Sequence, residues 1–263
     1  MKVPGPRSLL ACLALVSAAM IPASISGGSP APARVPVVVE LFTSEGCSDC
    51  PPADKLLAEL DRTQPVPGAL IIPLEEHVDY WDHQGWRDPF SSPAFTERQE
   101  TYARRLNLAS PYTPQMVVAG QTEFVGSASH TARVAIAAAV HIPSVPVTLG
   151  LSWSRPPDTS LIADIHIDPV PPGEDAEVFL AVTEDALVSD VRAGENAGRH
   201  MEHRAVVRKF ALAGKMEPGK PFNSKVDVHI APGWKRENLR VVVLLQGATT
   251  GKILGAATAA VAR

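Results

Sequence analysis

From residue 35 onward, short apolar runs alternate with polar, turn-rich stretches, and their periods predict most of the elements. Val35–Thr43 (VPVVVELFT) is β-branched and apolar throughout, as suits a strand buried on both faces. Leu56, Leu57 and Leu60 recur at helical spacing. Pro51 and Pro52 stand where a first helical turn tolerates proline, so a helix is predicted to begin beside residue 50. Residues 69–74 (ALIIPL) read as the next strand, and polarity rises sharply through 75–82 (EEHVDYWD). Ser92 before Pro93 predicts a capped helix start. Phe95, Tyr102 and Leu106 share its apolar face, as far as about residue 108. Residues 115–119 (QMVVA) and 123–125 flank a turn at Gly120-Gln121 and read as a hairpin. The alanine-rich stretch 129–141 reads as a closing helix. The order strand, helix, strand, helix, strand, strand, helix predicts an α/β unit with helices flanking a central sheet.

The pattern changes at 142–146 (IPSVP), which marks the expected domain boundary. Beyond it a period of two dominates: Val147, Leu149, Leu151 and Trp153; Leu161, Ala163, Ile165 and Ile167; Val178, Leu180 and Val182. Apolar runs follow at 206–212, 226–230, 239–245 and 253–261. About seven strands separated by turn residues predict an all-β, sandwich-like second domain over 146–263. The first domain is expected over 35–142.

The N-terminus reads differently. Lys2 and Arg7 precede an uncharged apolar run at 8–21, and small and turn-forming residues follow. This layout predicts a secretory signal peptide over 1–27 and a linker over 28–34. The run is short for a membrane span of about 20 residues. It is also short for the lipoprotein signal that Cys12 superficially suggests. Removing the signal takes two cations and shifts the formal charge from −4 to −6. An acidic chain without a basic stripe excludes the usual nucleic-acid binder. A periplasmic or secreted location is expected, with no stable membrane span in the mature chain.

Signal removal also takes Cys12 and leaves Cys47 and Cys50 as the only thiols. They lie between a predicted buried strand and a predicted helix start. A thiolate there is stabilised by unpaired N–H groups and the positive end of the helix dipole. Cys47 is the expected nucleophile, and Cys50, one turn on, the resolving thiol. A purely structural bridge across so short a loop would remove little unfolded-state entropy. A structural zinc site needs four ligands, and there is no second cysteine pair. Two exported thiols would also suit soft Cu(I), with His77, His83 or Met116 nearby. Asp49, between the cysteines, disfavours a thiolate on Cys47 and argues against a strong oxidant. His77 and Asp79 follow a predicted parallel strand and are candidates for proton transfer. Tyr80, Trp81 and Trp86 are candidates for a partner-binding rim; packing under a long loop is the other reading. No hydrolase triad, phosphate loop or carboxylate pair stands out, and no cofactor is expected.

Residues 37–54 (VVVELFTSEGCSDCPPAD), HVDYWD at 77–82, GWRDPF at 85–90 and YTPQMVV at 112–118 together resemble a family of secreted bacterial proteins known as domain of unknown function twelve twenty-three. The resemblance implies a thioredoxin-like fold for the first domain. It also implies a cis bond before Pro114, facing the cysteine pair and leaving the Thr113 backbone free to position an extended substrate. Family members commonly carry serine at both middle positions of C-x-x-C, and Asp49 departs from that pattern. Residues 198–203 (GRHMEH) resemble the family's second domain less distinctively, and His200 and His203 are expected to be surface or packing residues. The resulting expectation is a thiol–disulfide oxidoreductase acting on protein thiols, or exchanging electrons with a redox partner protein. The alternative is a copper-handling (Cys47, Cys50, His77) or partner-binding protein without turnover.

Overall fold

The computed structural model describes residues 1–3, 5, 34–154, 160–170 and 175–261. The expected signal peptide, including its apolar run, lies outside the described residues apart from its first few positions. Among the described residues, thirteen strands and three α-helices of 13, 13 and 11 residues follow in order. They are β1 (Val35–Thr43), α1 (Pro51–Thr63), β2 (Ala69–His77), α2 (Pro93–Arg105), β3 (Gln115–Val118), β4 (Thr122–Val125), α3 (Ser129–Ala139), β5 (Val147–Trp153), β6 (Ser160–Ile167), β7 (Ala176–Glu184), β8 (Leu187–Asp190), β9 (His200–His203), β10 (Val206–Met216), β11 (Phe222–His229), β12 (Leu239–Gly247) and β13 (Ile253–Ala260).

The expected thioredoxin-like α/β domain with a separate β-sandwich does not hold. The protein is mostly β. One mixed eight-stranded sheet, in the order β13-β12-β7-β10-β2-β1-β3-β4, draws strands from both halves of the chain. The joint is small. β10 meets the outer edge of β2 in parallel at Val206 and Glu75, where the Glu75 amide donates to the Ala205 carbonyl (2.9 Å). An edge that sequence pattern leaves unpaired is thereby closed, and β7, β12 and β13 extend the sheet beyond it. A second tie runs from the Ile253 amide to the Ala119 carbonyl (3.0 Å). The backbone approach there admits no side chain: a Cβ on Gly120, whose φ is +67°, would lie 2.1 Å from the Gly251 oxygen.

Strand alternation sends successive residues to opposite faces. On one face, Val37, Val39, Leu41 and Ile71 pack against Leu56, Leu57 and Leu60 of α1 and Ala132 and Ile136 of α3. Farther along that face, the three-stranded sheet β11-β6-β5 packs Leu161, Ile165 and Ile167 onto Leu180, Val182, Val241 and Val243. On the other face, Val38, Ile72 and Leu74 join Phe95 of α2 and run into Ala181, Val207, Val242 and Leu244. This last core spans strands from both halves, which is why they make one sheet.

α2 begins as predicted, with Ser92 accepting from the Ala94 amide (3.3 Å) and Pro93 at its start. β2 runs three residues past the predicted end at 74. Glu75, Glu76 and His77 are all buried. The register pairs Leu41 with Glu75, Phe42 with Glu76 and Thr43 with His77. Glu75 and His77 therefore face α1, and Glu76 faces α2. A single polar run feeds two buried clusters, one on each side of the sheet.

Candidate functional site

Cys47 and Cys50 form a disulfide. Cys50 caps α1, and its carbonyl accepts from the Ala53 and Asp54 amides (2.8 and 3.2 Å). Both sulfur residues therefore stand at the positive end of a 13-residue helix. Thr113–Pro114 is a cis bond. Pro114 precedes β3, whose Gln115 pairs with Phe42 of β1. A Cβ added to Gly126 would lie 3.2 Å from the Pro114 Cβ and 3.0 Å from the Ala53 Cβ. Pro114 and the first turn of α1 thus converge on one point.

The disulfide is covered. Cys47 is 1% exposed and Cys50 0%. The cover comes from 191–199, the connection between β8 and β9. Asn196 Nδ2 donates to the Glu45 and Cys47 carbonyls (2.8 and 2.9 Å), and Glu195 Oε2 accepts from the Ser48 amide (3.1 Å). Gly194 lies against Trp86 with φ at +74°, a conformation that favours glycine. Neither Glu195 nor Asn196 is foreseeable from sequence, because each lies nearly 150 positions from its partner.

The other candidates fall into distinct roles. Asp49 is exposed. Thr113 Oγ1 accepts from Trp81 Nε1 (2.8 Å), so Trp81 ties the 77–82 segment to the residue before Pro114. Tyr80 donates to Gln99 Oε1 (3.1 Å), and Asp79 accepts from the Thr96 hydroxyl (2.5 Å), so both dock that segment on α2. Trp86 Nε1 donates to Glu45 Oε2 (2.8 Å). His77 is fully buried. Its Nδ1 lies 2.7 Å from Asp88 Oδ2, and its Nε2 3.5 Å from Glu75 Oε1. His203, expected as a surface or packing residue, is buried at the centre of this cluster. Its Nδ1 is 2.8 Å from Glu75 Oε1 and its Nε2 3.1 Å from Glu45 Oε1. Glu75, His77 and His203 bring three ligand atoms within 4.8 Å of one another, and that set contains neither cysteine.

Charge in this cluster is finely divided. Burial works against ionising Glu75, but the His203 and His77 charges and hydrogen bonds hold its carboxyl down to about 2. Burial opposes a charge on His203 as well, yet Glu75 and Glu45 raise it to about 10. Asp54 on α1 goes the other way. Burial first, and the Glu75 charge second, push it up to about 7, against His203, the Thr43 hydroxyl and His77. Thr43 Oγ1 donates to Asp54 Oδ1 (2.6 Å), while Oδ2 has no partner.

This yields a signed prediction. An unfolded aspartate titrates near 3.9. Between about pH 4 and pH 7 the folded chain holds a proton on Asp54 that the unfolded chain has lost. Stability therefore falls with rising pH, by about 1.4 kcal/mol per unit from this group. Asp54→Asn is expected to flatten the profile over that interval and to gain on the wild type at pH 8. Urea midpoints at pH 5 and pH 8 measure it, and equal slopes in the two proteins would refute the assignment.

These features define a class: a mixed-sheet β protein with a C-x-x-C disulfide at a helix start, roofed by a distant connection. The chain belongs to the family described as Protein of unknown function (DUF1223), whose model matches residues 38–246. No curated protein matches the sequence. A crystal structure of a structural-genomics target protein from Agrobacterium tumefaciens is similar, at 28% identity over 87% of this chain and 95% of that one, with a TM-score of 0.66. HBP35 of Porphyromonas gingivalis is similar in fold, at 15% identity over 87% of this chain and 76% of that one, with a TM-score of 0.65. No described helix is long and apolar enough to cross a membrane.

Proposed function

We propose that the protein is an exported thiol–disulfide oxidoreductase acting on protein thiols. The observation that carries this reading is the Cys47–Cys50 disulfide at the N-terminus of α1, beside the approach of Pro114. Export is supported by the apolar run at 8–21 and by the disulfide itself, since such bonds persist in oxidising compartments. In the exchange, an incoming thiolate attacks Cys47 Sγ, the S–S bond breaks, and its electron pair leaves as the Cys50 thiolate. The α1 N-terminus stabilises that leaving group. Thr113 and Pro114 would position the substrate chain, once Trp81 releases the Thr113 hydroxyl.

Two carboxylates, Asp49 and Glu195, stand beside the pair and disfavour thiolate. The potential is therefore expected near the reducing end of the physiological range, about −270 mV rather than −120 mV. Redox titration of the purified chain against dithiothreitol and glutathione tests the reading. A single two-electron transition inside that range supports it. A bond that resists dithiols, or that never exchanges with a protein thiol, removes it. The burial of both sulfurs favours one other reading, a partner-docking protein whose bridge does not turn over.

A further inference from the structure

Beneath the C-x-x-C loop, on the α1 face of the sheet, the histidines are arranged as ligands usually are. His77 directs Nδ1 at Asp88 Oδ2 (2.7 Å) and leaves Nε2, fully buried, without a hydrogen-bond partner. That nitrogen lies 3.5 Å from Glu75 Oε1. His203 directs Nε2 at Glu45 Oε1 (3.1 Å) and Nδ1 toward the same Glu75 oxygen (2.8 Å). His77 thus has one nitrogen fixed by a carboxylate and the other without a partner, while His203 is held by a carboxylate at each nitrogen, so that an ion would replace the proton between its Nδ1 and Glu75. This carboxylate–histidine relay orients imidazoles toward a metal and makes them stronger donors. The supporting carboxylates are themselves held. Asp88 Oδ2 accepts from the Glu45 amide (2.8 Å), and Glu45 Oε2 from Trp86 Nε1 (2.8 Å). The free oxygen of Glu75 accepts from the Arg204 amide (3.0 Å). Phe90 closes one side, with its ring 5.4 and 5.5 Å from the two imidazoles.

We infer that Glu75 Oε1, His77 Nε2 and His203 Nδ1 form a binding site for one zinc-like divalent transition ion, independent of the cysteines. Bonds of about 2.1 Å put neighbouring ligand atoms roughly 3.0–3.4 Å apart. The Glu75–His77 separation of 3.5 Å is already there, and the Glu75–His203 contact has to open by a few tenths of an ångström. Two imidazoles and one carboxylate select a borderline ion over magnesium or calcium, which take oxygen ligands, and over Cu(I), which prefers thiolates. His203 also contributes, with Asp54 and Met201, to the lining of the groove between α1 and the β8–β9 hairpin, the side from which an ion would approach. Ligands from β2 and β9 would make the ion a staple between the two halves of the chain, set below the roof over the disulfide.

The test uses the purified full chain with its disulfide intact, so that the cysteines are not ligands. After chelator treatment it is titrated with Co²⁺ as a spectroscopic probe and then with Zn²⁺ by calorimetry. One equivalent of Co²⁺ with visible d–d bands, displaced by Zn²⁺, is the expected result. Binding should weaken at least 100-fold in His203→Gln and in Glu75→Gln, and 10- to 100-fold in Asp88→Asn, which keeps all three ligands. It should be unchanged in Cys47→Ser/Cys50→Ser. No stoichiometric binding by the wild type overturns the site, whatever the variants do. So does binding that survives His203→Gln or disappears with the cysteines. The oxidoreductase reading stands or falls separately on the redox titration.

Discussion

Arg98→Met is expected to destabilise the fold by about 3–5 kcal/mol, because it leaves a buried carboxylate without its cation. Arg98 reaches from α2 onto the sheet face opposite the disulfide. Its Nε donates to Glu40 Oε1 (2.5 Å) and lies 3.6 Å from Glu76 Oε1. One terminal nitrogen donates to the Tyr102 hydroxyl (3.1 Å) and the other to Gln246 Oε1 (3.3 Å), while the guanidinium stacks 4.2 Å from the Phe210 ring. These partners come from β1, β2, α2, β12 and β10, so one side chain spans the joint of the sheet. Both glutamates are fully buried, with Arg98 itself only 10% exposed. Burial and the Glu40 charge raise Glu76 well above the carboxylate range, so it stays neutral. Glu40 makes the direct contact with the Arg98 guanidinium, and it also accepts from the Tyr102 hydroxyl (2.5 Å). In a chain of this size the loss corresponds to a fall in Tm of roughly 6–20 °C. Because the pair is screened from solvent, salt should change the effect little. Arg98→Met combined with Glu40→Gln should recover much of the loss, since the stranded charge is then removed. A single-variant effect below about 1 kcal/mol, in urea melts of both proteins, would show that the cluster is not carrying the joint.

That cluster illustrates where sequence reading stops. Local elements are legible because their causes are local. β-branched residues make β1, Ser92-Pro93 starts α2, and Gly120 turns the β3–β4 hairpin. The run Glu75-Glu76-His77 reads as the end of a strand because three polar residues in a row rarely enter a core. They enter this one because Asp88, in the loop that follows, and the distant His203 pair with His77 and Glu75, and because Arg98 of α2 places its charge 3.6 Å from Glu76. Strand alternation applied to that run would have placed Glu75 and His77 on one face and was the available signal. The sheet joint offers none: the bridge at Val206, the Ile253–Ala119 hydrogen bond and the core shared by β1, β2, β7, β10 and β12 all join residues far apart in the sequence. The cysteine pair was legible because its spacing and its place at a helix start are both local. Its cover at Glu195 and Asn196 was not.

On the proposed oxidoreductase reading, Cys50→Ser is expected to abolish turnover and to trap a stable mixed disulfide on Cys47. Without the resolving thiol, a bond formed between Cys47 and a substrate has no intramolecular route to break. Cys47→Ser should trap nothing, because the remaining sulfur caps α1 with 0% exposure. The asymmetry is the point, since an inert structural bridge would lose stability in both variants and capture substrate in neither. Yet Cys47 is 1% exposed while oxidised, so attack requires the 191–199 connection to open. Asn196 holds that cover through the Glu45 and Cys47 carbonyls. Asn196→Ala removes both of these hydrogen bonds from the closed state and leaves the Cys47 carbonyl only its bond from the Cys50 amide (3.2 Å), at about 1–3 kcal/mol, which favours opening. Reduction of the wild-type disulfide by dithiothreitol should then accelerate roughly tenfold in this variant, with Cys47→Ser/Cys50→Ser as the unreactive control. Mass spectrometry of the Cys50→Ser adduct and stopped-flow reduction of Asn196→Ala read the two steps separately. If Asn196→Ala reduces no faster while Cys50→Ser still captures substrate on Cys47, the exchange chemistry stands and the gate lies elsewhere, with Trp81 on Thr113 the next contact to release.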